Sequence, residues 1–351
     1  MSRFNSIAVW LWSISVMIFV MVVIGGLTRL TESGLSMVDW RPITGWLPPL
    51  GQEAWMATFE AYKSSPEYQA FNAGMSLSEF KGIFWLEYVH RLWGRLIGLV
   101  FVLPFLYFVV RGLISGRLAA RLVLILILGA SQGVLGWYMV QSGLADEPWV
   151  SPYRLVAHFG LALAVYILVI WTALDLASGP TKPIVSMPTI LLIFGFIVML
   201  SGGTVAGNDA GLTYNTFPRM DGHFIPPQIW DSSVFLENVF EDVRTVQFNH
   251  RILATIVALG ILLTWARHRV AGHIIRGWGN GAAVLVCIQY ALGIGTLLSV
   301  VAIPLASAHQ AVGTLLIGVL AGWAHANSVK TTRAGKKDQE LDRKDGKPVA
   351  G

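Results

Sequence analysis

Eight stretches of this chain are apolar over a length that can cross a bilayer, roughly residues 7–27, 84–110, 122–140, 155–174, 187–206, 246–265, 281–300 and 305–324. Each crossing takes about 20 mostly apolar residues. Inside hydrocarbon no water satisfies backbone N–H and C=O groups, so segments of this length must be helices. The chain is 54% hydrophobic and only 13% charged, which is more apolar surface than a soluble domain of this size can hide. The expected fold is therefore an all-α membrane protein with eight transmembrane helices. The first stretch is too long for a secretion-signal core and lacks a small-residue cleavage site after it, so it reads as a retained anchor. No Arg/Ser-rich transit segment precedes it, which favours a bacterial inner membrane over an organelle.

Short basic loops set the orientation. Arg111, Arg117 and Arg121 lie between the second and third stretches, Lys182 between the fourth and fifth, and Arg267, Arg269 and Arg276 between the sixth and seventh. The tail from Lys330 is rich in lysine and arginine. These segments face the cytoplasm if both termini do. The two long segments after the first and fifth stretches carry most of the acids (Glu53, Glu60, Glu67; Asp209, Asp221, Glu237, Glu241, Asp242) and belong outside. The net charge of +5 thus reflects topology and not nucleic-acid binding. Residues 327–351 have few apolar side chains and read as a disordered charged tail. The single cysteine, Cys287, has no intrachain partner, and no C-x-x-C-H occurs, so any haem is held without thioether links.

The chain also repeats itself. Gly25-Gly26 is followed nine residues on by Gly34-Leu35-Ser36, and Gly202-Gly203 by Gly211-Leu212-Thr213. Each block runs on to a double proline, Pro48-Pro49 and Pro226-Pro227, and Gln132-x-x-Leu135-Gly136 is matched by Gln289-x-x-Leu292-Gly293. The division is into residues 1–180 and 181–326, each a four-helix bundle. An even number of spans per half makes the repeats parallel, about an axis along the membrane normal.

Four histidines occupy matched positions in this repeat. His90 in Glu87-Tyr-Val-His90-Arg91 corresponds to His250 in Gln247-Phe-Asn-His250-Arg251, and His158 in Val156-Ala-His158 to His309 in Ser307-Ala-His309. An intramembrane histidine is costly. A lone one is more often a packing or relay residue than a metal ligand; four in duplicated register favour two sites, each closed by two axial ligands, as a six-coordinate haem requires. All four fall in the first turns of helices running inward, which places both sites near the outer leaflet. The residue four positions on is small each time (Gly94, Ala162, Ala254, Gly313). That position shares the ligand's helix face, and a flat tetrapyrrole needs the face clear, although small residues also serve ordinary helix packing. His223, His268, His273 and His325 read as surface residues.

Glu87 breaks the symmetry, because its counterpart is Gln247. Either it forms an interfacial i,i+4 pair with Arg91, or the first half does proton chemistry or stabilises positive charge while the second only holds a cofactor; the second account is favoured. Arg91, Arg95 and Arg251 are interface anchors or partners for haem propionates, with Arg29 and Arg219 weaker candidates. Trp40, Trp46, Trp85, Trp137, Trp149 and Trp230 read as an aromatic belt. Residues 51–71 are mildly amphipathic and expected to lie flat on the outer surface.

The blocks Gly25-Gly-Leu-Thr-Arg-Leu-Thr-Glu-Ser-Gly-Leu-Ser36, Phe80-Lys-Gly-Ile-Phe-Trp-Leu-Glu87-Tyr-Val-His90-Arg-Leu-Trp-Gly-Arg95 and Tyr214-Asn-Thr-Phe-Pro218-Arg-Met220 resemble the haem A synthase family, in the branch shared by alphaproteobacteria and mitochondria. The resemblance covers residues 7–324. It implies oxidation of the C8 methyl of haem O to a formyl group, giving haem A for cytochrome oxidase. It further implies that His250 and His309 ligate the iron of a haem b cofactor, that His90 and His158 frame the substrate haem iron, and that Glu87 is needed for activity. The paired outer-loop cysteines of Gram-positive members are absent, so no thiol step carries over. The rival readings are a membrane di-haem cytochrome b electron carrier, which usually stacks its haems at both leaflets, and a transporter, which would put charge at the midplane. The residues leave open the formyl oxygen's source, the electron acceptor, homo-oligomer formation and contact with the haem O-forming farnesyltransferase.

Overall fold

The computed structural model describes residues 3–41, 44–145, 147–229 and 239–344. Trp230 and Glu237, assigned above to a belt and an outer loop, lie outside them. Among these residues nine α-helices follow one another: α1 (Arg3–Leu30), α2 (Gly51–Lys63), α3 (Leu77–Val110), α4 (Gly116–Leu144), α5 (Pro152–Ser178), α6 (Met187–Gly207), α7 (Val243–Arg267), α8 (His273–Leu298) and α9 (Ile303–Lys344). Among the described residues no strand forms, and all helices but α2 are long and apolar enough to cross a membrane.

Most of the spanning helices run a turn or more beyond their apolar stretches, because polar caps continue them. At α3 the Ser76 hydroxyl accepts from the Glu79 N–H (3.3 Å) while Glu79 accepts from the Ser76 N–H (2.8 Å), a reciprocal box that satisfies two otherwise orphaned donors. At α7 Asp242 accepts from the Thr245 N–H (2.9 Å). Pro152 opens α5 where no N–H is required. At the other end of the chain α9 stays helical to Lys344, across much of the stretch expected to be disordered. Ala334, Gln339, Glu340 and Leu341 are good helix formers, and no proline intervenes before Pro348.

Within the first half α1 packs on α3 and α5, and α4 on α3 and α5; within the second α6 packs on α7 and α9, and α8 on α7 and α9. The halves meet through α1 on α9, α5 on α6, and α5 on α9. The larger of the two clusters of buried apolar side chains gathers at one end of these bundles. Ile7, Leu11 and Ile14 from α1, Leu122 from α4, Val169 from α5, Ile261 from α7 and Leu320 and Trp323 from α9 belong to that core. The four histidines sit at the opposite end and are only half-buried.

His325 is a correction. It is not a surface residue but lies inside the tightly packed end, its Nε2 2.9 Å from Asp175 and its ring 5.1 Å from that of Trp171. Asp175 also accepts from Arg121 and from the Thr181 hydroxyl (2.7 Å), linking α4, α5 and α9. A buried carboxylate needs such partners, and the histidine was misread because its neighbours in sequence mark a helix end.

The segment 51–71 does fold as helix over α2, followed by a π-turn at Tyr68–Asn72. Its apolar face is spent on α3 rather than on lipid. Trp55, Phe59 and Tyr62 pack with Phe80, Phe84 and Tyr88, with the Phe59 and Phe80 rings stacked at 4.9 Å and Trp55 edge-on to Phe84 at 4.9 Å. This aromatic cap sits over the turns of α3 that precede His90. Trp40, Trp85, Trp137 and Trp149 are exposed at the same end.

Candidate functional site

Each histidine ring is seated against a glycine of a neighbouring helix. A Cβ built on Gly25 of α1 would stand 3.1 Å from the His90 ring, one on Gly136 of α4 3.1 Å from His158, one on Gly202 of α6 3.2 Å from His250, and one on Gly293 of α8 2.9 Å from His309. The repeated Gly-Gly and Gln-x-x-Leu-Gly blocks thus exist to let an imidazole approach a helix backbone. His158 and His90 interact electrostatically, as do His250 and His309, so the rings pair within each half. His158, His250 and His309 are the seventh, eighth and seventh residues of their helices, as expected. His90 is the fourteenth of α3, because the capping box and aromatic cap extend that helix outward.

The two pairs differ in what holds them. The Ser201 hydroxyl donates to the Val198 carbonyl (2.8 Å) and so takes the Nδ1–H of His250 (2.8 Å). The Gln289 carbonyl lies 3.2 Å from His309 Nδ1, which must therefore carry the proton. Both rings of the second half are fixed in the tautomer that leaves Nε2 a lone pair, the usual arrangement behind a metal-bound imidazole. In the first half His158 Nδ1 is buried without a partner, and among the described residues no hydrogen bond orients the His90 ring. Gln132 donates only to the His158 carbonyl (3.3 Å).

Among the described residues no three His, Cys, Asp or Glu side chains come together to hold a bare metal ion. Two imidazoles per half suit a metal whose remaining ligands come from a macrocycle. The half-buried ring level, the glycine-backed imidazoles and the orphaned His158 nitrogen all fit haem. Two of the small i+4 residues also make room for a methionine. A Cβ on Gly94 would lie 3.4 Å from Met21 Cε, and one on Gly313 2.9 Å from Met199 Sδ. Methionine is the side chain that most readily gives way to another occupant. Gly293→Val should push the His309 ring off its seat, because even a Cβ is already too close. The expected result is a several-fold lower haem content in purified protein with normal membrane insertion.

Arg91 and Arg251 repeat one clasp. Arg91 donates to the carbonyls of Met37 (2.9 Å) and Asp39 (3.1 Å), and Arg251 to those of Tyr214 (2.7 Å) and Thr216 (2.9 Å). Each also holds the residue one turn back, Glu87 (2.6 Å) or Gln247 (2.7 Å). These arginines are therefore pins for the outer loops, with Arg251 Nε left buried and unpartnered for another acceptor. Arg95 donates to the Arg41 carbonyl (2.8 Å) and lies over the Trp46 ring. Arg29 reaches into the other half, to Asp209 (2.8 Å) and the Ala206 carbonyl (2.8 Å).

Glu87 is buried, and it does form the i,i+4 pair with Arg91. Its carboxylate accepts from the Ser36 hydroxyl (2.6 Å), the Met37 N–H (2.8 Å) and the Arg91 guanidinium. Gln247 does the reverse, its amide donating to the carbonyls of Ala210 (2.7 Å) and Thr213 (2.6 Å). The difference in sequence is thus matched by a difference in what each loop presents: donors in the first half, acceptors in the second.

The family of cytochrome oxidase assembly proteins matches residues 8–321. The chain is 47% identical over 335 residues to a protein of Nitrosospira multiformis named "Heme A synthase", covering 91% of this chain and 92% of that one. A protein of the same name from Paramagnetospirillum magneticum is 47% identical over 331 residues, 91% and 93% of the two chains. "Heme A synthase COX15" of Arabidopsis thaliana is 43% identical over 335 residues, 90% of this chain and 73% of that one.

Proposed function

The chain belongs to the cytochrome oxidase assembly protein family, and on that premise we propose that it is a haem A synthase, an oxidoreductase that converts the C8 methyl of haem O to a formyl group. The single observation that carries the division of labour is the unequal support of the two histidine pairs. His250 and His309 have their Nδ1 protons tied to Ser201 and Gln289, which suits permanent ligation of a resident haem b. His90 and His158 lack such ties, which suits a haem that must arrive as substrate and leave as product.

A tied Nδ1–H raises the basicity of the opposite nitrogen and fixes the ring plane. An untied ring holds iron more loosely and can turn as one macrocycle replaces another. When bound, the haem supplies the iron and the redox chemistry. The protein's part is to frame the substrate between His90 and His158 and to keep the Ser36–Met37 loop closed over Glu87. Glu87 places a fixed negative charge one turn from His90, where positive charge developing beside the oxidised methyl would be stabilised. Arg91, Arg95 and Arg251 hold the loops that rim the two sites, and Arg251 Nε is free to meet a propionate.

The same reading makes the halves parallel repeats with both termini cytoplasmic, and the histidine level nearest the outer leaflet of a bacterial inner membrane. Haem extraction tests it. Purified protein should yield haem b alone, and haem b with haem O and haem A when the haem O-forming farnesyltransferase is co-expressed. Haem b alone in both preparations would make the chain an electron carrier.

A further inference from the structure

Glu67 is a second buried carboxylate on the outer side, and the mechanism above does not use it. It follows α2 and lies under the aromatic cap, with 5% of its surface exposed. One carboxylate oxygen accepts from the Tyr62 hydroxyl (2.9 Å), and Asn72 donates to that same hydroxyl (2.7 Å). The other oxygen has no hydrogen-bond partner among the described residues. Asn72 lines an open cavity of about 600 Å³ together with Thr31 and Ser33 of the loop after α1 and with Glu79, Ile83 and Leu86 of α3. That loop and that face of α3 are the two segments that carry Ser36 and Glu87. Glu67 and Tyr62 both lie within electrostatic reach of Glu87.

Glu87 itself is poorly placed to move protons. Its oxygens already receive four donors, and protonating it would displace one of them. The Glu67 carboxylate receives a single hydrogen bond among the described residues, and through Tyr62 it is linked to Asn72, which lines the open cavity. Taking water as the source of the formyl oxygen, the half-reaction is R–CH3 + H2O → R–CHO + 4 H⁺ + 4 e⁻, the electrons passing to the enzyme's acceptor and the protons to water. Four protons must leave a site closed over by a loop and an aromatic cap.

We propose that Glu67 is the proton-exchange group between the substrate half and the outer aqueous phase, held in place by Tyr62 and Asn72 and opening to bulk water through the cavity at Asn72. This rests on the synthase reading and assigns that site its proton route. Burial pushes the Glu67 carboxyl up to about 7, with the charges of Glu87 and Glu32 adding to the rise and the Tyr62 hydrogen bond opposing it. A carboxyl that gains and loses its proton near neutrality is matched to exchange with water at working pH.

The test measures haem A formed per resident haem b in membranes from pH 6 to 8.5, with haem O supplied. Wild type should rise through an inflection near pH 7. Glu67→Gln should lose the inflection and fall at least tenfold at pH 8, while Glu67→Asp keeps part of the rate. Tyr62→Phe should move the inflection upward, because it removes the hydrogen bond that favours the anion; a merely structural role for Tyr62 would change the yield and leave the inflection in place. An unaltered profile in Glu67→Gln, with a rate within twofold of wild type, would overturn the proposal, as would an unmoved inflection in Tyr62→Phe should Glu67→Gln not accumulate. Wild type making no haem A at any pH would instead overturn the synthase reading itself.

Discussion

Replacing His250 or His309 with alanine is expected to strip most of the resident haem b from the protein, while replacing His90 or His158 leaves that haem spectrum intact and abolishes haem A formation. The argument is geometric. Each second-half ring has its Nδ1 fixed by Ser201 or Gln289, which sets the ring plane, and only the Gln289 side-chain amide, 3.4 Å from His309 Nε2, has to give way to iron. Losing one of two axial ligands removes both a metal bond and that preorganisation. In the first half the rings lack such ties, and their loss acts on a haem that is only passing through. Absorbance spectra and extracted haem of the four variants provide the check. Equal loss of haem b from all four would remove the division of labour. Ser201→Ala should show a milder form of the second-half effect, because outer-shell partners of metal-bound histidines typically contribute about 10–100-fold in affinity.

Glu87→Gln is expected to lower haem A formation by ~10²–10⁴-fold with resident haem b retained. The symmetry of the repeat suggests that glutamine should be tolerated, since Gln247 fills the matching place. The loops say otherwise. At position 87 an amide N–H₂ would face the Met37 N–H, the Ser36 hydroxyl or the Arg91 guanidinium, all of them donors. Breaking a buried ion pair by neutralising one partner costs about 3–5 kcal/mol, so the loop itself will loosen. Ser36→Ala separates the two contributions. It deletes one donor to Glu87 and leaves the charge, and should cost no more than a few-fold in haem A. If Ser36→Ala matches Glu87→Gln in severity, Glu87 acts by closing the loop; if Glu87→Gln stays within a few-fold of wild type, it is a structural clasp alone.

Hydropathy was enough to place all eight spanning helices, because a spanning segment leaves the backbone no other choice. It misjudged their ends, since Ser76, Asp242 and Pro152 act through caps and not through apolarity. The histidine pairs were legible because the repeat doubled a signal that is weak when single. The glycines behind them were visible as repeated letters, but their purpose lay in another helix's side chain. Burial of His325 and Glu67 was invisible for a related reason. His325 is hidden only by the packing of α9 on α5, and Glu67 only by the folding of α2 back onto α3. Sequence neighbours report what a residue is next to along the chain, and both of these are covered by residues distant in it. Glu87 stands out in the sequence as the odd residue of the repeat, yet its four donors come from a loop some fifty positions away and from the next helical turn.

The large buried cluster at one end of the bundles gives the molecule the mechanics of a pair of tongs. The shaft, from Ile7 and Leu11 to Leu320 and Trp323, is packed without reference to any ligand and is locked by Asp175 with Arg121 and His325. The jaws, at the level of the four imidazoles, are joined by loop clasps and by the Arg29–Asp209 strap between halves. The packed contacts that hold the two halves of such a molecule together are thus kept apart from the level at which its histidines stand.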